Sequence, residues 1–117
     1  MTREFVMMPE FDRQWRKLDL DDADLGRLQE TLLQDPKAGK PIRGTGGLRK
    51  IRVAFEGRGK SGSGRVAYID FAMHETVYLI TVYPKSEKDN LSQAERNSIA
   101  RMIAGLERGF TMRESAK

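Results

Sequence analysis

Apolar and polar positions fall into short segments of recognisable period along this chain. Phe5, Val6, Met7 and Met8 cluster within Arg3 to Met8, just before a proline, and predict a short first strand. Pro9 suits the first turn of a helix, and Phe11, Trp15 and Leu18 recur behind it at helical spacing. Asp21 or Asp22 is placed to cap a second helix, whose stripe is Leu25, Leu28 and Leu32 and which Pro36 stops. The helices are expected to form a hairpin. Phe11 and Trp15 share a stripe with Leu18, so they read as core rather than as a platform for stacking bases.

Beyond a Gly- and Lys-rich connector, Lys37 to Gly47, the period changes to that of strands. Leu48 to Phe55 puts Ile51, Val53 and Phe55 on one face and Lys50 and Arg52 on the other. Gly57 to Gly64 contains no apolar residue and reads as a polar loop. Arg65 to Phe71 and Val77 to Tyr83 are two further strands, close enough in sequence for an antiparallel meander. On the last strand Thr81, Tyr83 and Lys85 share one parity, and Tyr78, Ile80 and Val82 the other. Arg65 groups with Ala67, Ile69 and Phe71 unless a bulge intervenes.

Ser92 and Glu95 match a capping box, and Ile99, Met102, Ile103, Leu106 and Phe110 continue it as an amphipathic helix. Thr111 to Lys117 reads as a frayed tail. The order of elements predicts an α+β fold: a small, mainly antiparallel sheet with the helical hairpin and the C-terminal helix packed on one face. The 117 residues are expected to form one domain, since a second core would lack the volume to sustain itself.

Composition removes several chemistries. With 0 Cys there is no disulfide scaffold, thiolate zinc site or Cys nucleophile, and 1 His gives a metal site or a Ser-His-Asp triad almost nothing to build on. That His, His74, sits at a hairpin tip and reads as a solvated turn residue. No stretch is apolar for the length a membrane span requires, and Met1 to Phe11 lacks the apolar core of a secretory signal, so the cytoplasm is the expected compartment.

The net charge of +4 is unevenly spread. Met1 to Asp35 is net acidic, whereas Pro36 to Arg65 holds many Lys and Arg and Glu56 as its one acid. A polyanion, most simply a nucleic acid, suits such a segment. Gly57 to Gly62 fits G-x-G-x-x-G, but it leads into a strand, so no helix N-terminus receives a pyrophosphate. It reads as a mobile hairpin loop whose Arg58 and Lys60 are within reach of backbone phosphates. Lys50 and Arg52 stand together opposite the apolar strand face, and the residues alone leave open a solvated cationic face and a nucleic-acid-binding one.

Three stretches, GTGGLRKIRVA, GRVAYID and YLITVYPKSEKDNLS, resemble the RelE/HigB superfamily of type II toxins, nearest its HigB-like branch, and the resemblance spans nearly the whole chain. It implies a RelE-like fold and a metal-independent endoribonuclease that needs no cofactor. The implied activity is cleavage of mRNA at the ribosome, inhibiting translation. The implied partners are the ribosome, mRNA and a cognate antitoxin, of a helix-turn-helix HigA-like kind, with no membrane. The family's catalytic positions fall on Lys50, Arg52, Arg65 and Lys85; beside them, Arg49, Arg58, Lys60 and Tyr83 are this chain's candidate substrate contacts. A Tyr that some members use for catalysis falls near Leu91 and is absent, which leaves Tyr83 as a substitute for stacking.

Those residue types suit the chemistry. RNA carries its own nucleophile, the 2′-hydroxyl, so cleavage needs positioning, stabilisation of phosphorane charge and proton transfer. Arg grips two phosphate oxygens with a planar fork. A Lys among other cations is favoured in its proton-accepting form, which makes Lys50, beside Arg49 and Arg52, the candidate base. The acid role falls to Lys85 or to the ribosome. Two other readings fit the same cations: a non-catalytic nucleic-acid-binding module, and a protein that docks an acidic partner.

Overall fold

A computed structural model describes residues 2–54 and 62–115 of the chain. In order, its elements are β1 (Glu4–Met7), α1 (Pro9–Lys17), α2 (Asp22–Gln34), β2 (Lys40–Pro41), β3 (Arg49–Ala54), β4 (Ser63–Phe71), β5 (Thr76–Pro84) and α3 (Gln93–Ser115), with a single 3₁₀ turn at Ala72–His74. The strands form one sheet in the order β1-β5-β4-β3-β2. β3, β4 and β5 make the expected antiparallel meander, β2 pairs antiparallel with β3, and β1 joins β5 in parallel. The fold is α+β.

Local chemistry explains the helix starts. Pro9 opens α1, and the side chain of Asp21 accepts from the Asp24 amide while Asp24 accepts from the Asp21 amide, which closes a capping box at α2. At α3 the Glu95 amide donates to Ser92 Oγ over 3.1 Å, and the Ser92 amide donates back to Glu95 Oε1 over 2.8 Å. Lys88 also donates to the Glu95 carboxylate. These bonds, led by that from Lys88, hold Glu95 below the usual carboxylate range. A lowered folded-state value stabilises the fold above the ordinary carboxylate range, and that stability is lost as pH falls through the lowered value. Acidification should therefore lower the hydrogen-exchange protection factors in the first turn of α3, and E95Q should flatten that acid limb.

The sheet is covered on both faces. Phe11, Trp15, Leu20, Leu28 and Leu32 of the hairpin region pack with Val66, Tyr68, Val77, Leu79 and Val82. Ile99 and Ile103 of α3 pack with Leu48, Ala67, Ile69, Ile80 and Tyr83. Val66 and Tyr68 alternate with Ala67 and Ile69 along β4, so these two cores lie on opposite faces. This corrects the expectation that α3 shares a face with the hairpin. β4 and β5 are apolar on both faces, and strands of that kind need a cover on each. Trp15 is core as expected, its ring stacked on Phe11 at 5.1 Å.

A bulge in β5 corrects the parity of the last strand. Ala67 pairs with Thr81 but Tyr68 pairs with Leu79, leaving Ile80 as the extra residue. Val82 therefore joins Val77 and Leu79 in the hairpin core, while Ile80 and Tyr83 face α3. Arg65 keeps the parity of Ala67 and Ile69, since the bulge lies across from it rather than in its own strand.

Other boundaries move by a few residues. Ser63 and Gly64, read as loop, are buried members of β4. α3 runs on to Ser115, past the point where a frayed tail was expected. His74, read as a solvated turn residue, stacks on Phe110 with ring centroids 4.0 Å apart. Phe55 and the loop residues Arg58 and Lys60 lie outside the described residues. Arg3 holds Asp70 through Nε and Nη2, at 2.8 and 3.2 Å, and so ties the N-terminal strand into the sheet.

Candidate functional site

Three neighbouring strands deliver the cations to one place. Ile51 and Val53 pack toward the hairpin core, which turns Lys50 and Arg52 to the α3 face. Arg65 of β4 lies directly opposite Arg52 of β3 on one side and Tyr83 of β5 on the other. Lys50 is one step further along, opposite Ala67. α3 covers the middle of this face, over Ile69 and Ile80, so the cations flank its covered part.

Like charges directly opposite each other on adjacent strands are destabilising. The Arg52–Arg65 pairing is a local cost that the fold tolerates, and such costs concentrate where a site must meet a ligand. Counter-groups come from the segment that follows β5. Arg65 Nη2 lies 3.2 Å from Asp89 Oδ1, and Lys50 Nζ donates to Asn90 Oδ1 over 2.6 Å. Arg65 Nη1 also donates to the Gly64 carbonyl at 3.3 Å.

Beneath these groups lies Tyr83, which is 3% exposed, with Lys88 Nζ 5.2 Å from its ring centre. Its hydroxyl is buried with no hydrogen-bond partner among the described residues. Burial pushes the phenol up, and the nearby Arg65 opposes that only in part, so Tyr83 keeps its proton at neutral pH. It is suited to donate rather than to accept a proton. Leu91, where the resemblance would place a catalytic Tyr, is buried in the α3 core.

Cations gathered on one sheet face suit the binding of phosphate. Among the described residues no group of His, Cys, Asp and Glu is placed to hold a metal ion, and none of the described helices is long and apolar enough to cross a membrane.

The sequence profile of the family described as the RelE toxin of the RelE / RelB toxin-antitoxin system matches residues 6–114. The chain belongs to the RelE toxin family. Among solved structures, the free form of an E. coli RelE toxin carrying two arginine substitutions is similar at 20% identity and a TM-score of 0.56, covering 87% of this chain and 97% of that one. The same E. coli RelE in complex with an antitoxin RelBc peptide is similar at 20% identity and a TM-score of 0.49, covering 79% and 99%. The first likeness establishes the RelE fold.

In this RelE-family toxin, the sheet register gathers four of the residues singled out in the sequence: Lys50, Arg52, Arg65 and Tyr83. Lys85 is exposed just past the end of β5. Its amide still donates to the Ser63 carbonyl at 2.9 Å, which keeps it at the same end of the sheet as Arg65. Arg49 is not brought in. It has the parity of Ile51, and its guanidinium donates to the carbonyls of Gly39 at 2.8 Å and Lys37 at 3.4 Å, so it braces the connector. Asp89 and Asn90 were missed. Their signal was present only as part of the run between Tyr83 and Ser92, because nothing in an exposed polar turn reveals which strand it will touch.

Proposed function

We propose that this toxin is a metal-independent endoribonuclease of the HigB-like branch that cleaves mRNA on the ribosome and so inhibits translation in the cytoplasm. The observation that carries the reading is the direct opposition of Arg52 and Arg65 with Lys50 alongside. A phosphodiester approaching that face meets two planar forks from adjacent strands. As the 2′-oxygen attacks, the phosphorus gains a fifth ligand and its oxygens gain charge, which the guanidinium groups of Arg52 and Arg65 stabilise. Lys50 takes the 2′-hydroxyl proton. The departing 5′-oxygen receives a proton from Lys85 or from a ribosomal group. Tyr83, buried with Lys88 against its ring, packs beneath the cations and is not open for a base to stack on, contrary to the stacking role expected from the sequence.

A cognate antitoxin, of the helix-turn-helix HigA-like kind, would silence the toxin by covering this face. An acidic segment suits it by charge complementarity, with fast association as a consequence.

Induced expression in a bacterium, with mapping of mRNA 5′ ends, tests the reading. Growth arrest with new ends inside coding regions is expected, and growth unaffected by strong expression would overturn it. Binding to ribosomes or single-stranded RNA should also weaken with salt. Each phosphate contact adds about 0.7 to 0.9 to the magnitude of the slope of log affinity against log salt. A flat salt profile would count against phosphate contacts.

A further inference from the structure

Arg52 and Arg65 are directly opposite on β3 and β4, an arrangement of like charges that a counter-anion on either one relieves. Asp89 supplies one on Arg65, with Oδ1 at 3.2 Å from Arg65 Nη2. The Arg65 side chain is 15% exposed and that of Asp89 57%, so the acid, not the base, is the outer member of the pair. From this arrangement we infer that Asp89 stands in for an RNA phosphate on Arg65 and is displaced when the phosphate binds. The inference rests on the mRNA-cleaving reading above and adds a resting-state gate to it.

The displacement is chemically easy. An ion pair with a largely exposed member is weak, because solvent screens it and two side chains must be ordered to keep it. A phosphodiester offers the same negative charge and two oxygens for the same fork. The backbone under Asp89 is held on both sides. The Glu87 amide donates to the Pro84 carbonyl at 3.0 Å, and Ser92 and Glu95 close the cap of α3. The exchange therefore needs only rotation of the Asp89 side chain, with Asn90 left in place on Lys50.

The probe is a fluorescent 2′-O-methyl oligoribonucleotide, which binds but lacks the free 2′-hydroxyl needed for cleavage, followed by anisotropy at low salt. D89N should tighten binding about fivefold, the equivalent of a weak ion pair removed from competition. E87Q makes the same charge change on the same exposed segment, and should tighten binding by less than half of that. In an Arg65→Gln background the D89N advantage should shrink to that of E87Q, since a gate needs the cation it closes. D89S should match D89N, with circular dichroism verifying the fold of each.

Equal effects of D89N and E87Q would overturn the inference, as would a D89N gain that survives Arg65→Gln. Weaker binding by D89N would also overturn it and would make Asp89 a support for Arg65. In each of these cases the mRNA-cleaving reading stands if Arg52→Ala still loses binding. Absence of binding by both wild type and D89N, together with unaffected growth on expression, would overturn both.

Discussion

Alanine at Lys50, Arg52 or Arg65 is expected to reduce mRNA cleavage on the order of a hundredfold or more, and to abolish growth inhibition at equal expression. A phosphorane carries charge that the ground state lacks, so a donor aimed at it stabilises the transition state selectively, and removing one such donor has an effect of that size. The fold should hardly change. All three side chains project from the α3 face away from Ile51 and Val53. Arg52 is exposed, and exposed substitutions usually alter stability by within about 0.5 kcal/mol, whereas Lys50 is half-buried and the Arg65 side chain only 15% exposed, so Arg65→Ala should cost the most stability of the three while the strand pairing holds. Arg52→Lys should be impaired as well, because a point charge cannot reproduce a two-pronged grip. Mapping of mRNA ends in cells, beside melting curves of the purified variants, checks both halves. Three variants that fold and remain toxic would place the reactive groups elsewhere.

The site was legible in the sequence to the extent that strand parity decides it. Lys50 and Arg52 alternate with Ile51 and Val53, and burial of the latter pair fixed the former on the opposite face. The capping box at Ser92 and Glu95 was equally readable, since its bonds span a single helical turn. What escaped were features set by distant contacts. The bulge at Ile80 exists only relative to β4, and the sequence of β5 reads as the same largely apolar strand with or without it. α3 crosses to the second face because β4 needs cover on both sides, which neither segment shows alone. The Arg3–Asp70 and Lys50–Asn90 contacts join residues 67 and 40 positions apart, and no local pattern announces such partners. The Tyr of the Arg-Val-x-Tyr run was visible as part of a resemblance, but its physical role was not.

That residue, Tyr68, has a role that makes a glycine in the connector the most sensitive backbone position near the site. Tyr68 is fully buried, and its hydroxyl donates to the Pro36 carbonyl at 2.8 Å while accepting from the Gly39 amide at 2.9 Å. Burial pushes this phenol up, so it keeps the proton it donates. Gly39 packs so closely that a Cβ there would lie 2.7 Å from Tyr68 Cε1 and 2.9 Å from the Lys50 carbonyl. A ring can tilt, but a carbonyl in a paired strand cannot yield without moving β3. Tyr68→Phe leaves two buried backbone groups unpaired, and should cost about 1 to 3 kcal/mol, with a fall of several degrees in Tm. Gly39→Ala adds overpacking to the loss of those bonds, so about 3 kcal/mol or more is expected. The two variants should also differ in activity. Gly39→Ala pushes on the backbone of Lys50, which pairs with Lys40 and carries the proposed base, so cleavage should fall even at temperatures where the variant is fully folded. Tyr68→Phe leaves β3 in place, and its activity should follow its folded fraction alone. Melting curves and cleavage measured well below both midpoints separate these outcomes, and a Gly39→Ala protein that melts with the wild type would refute the packing argument.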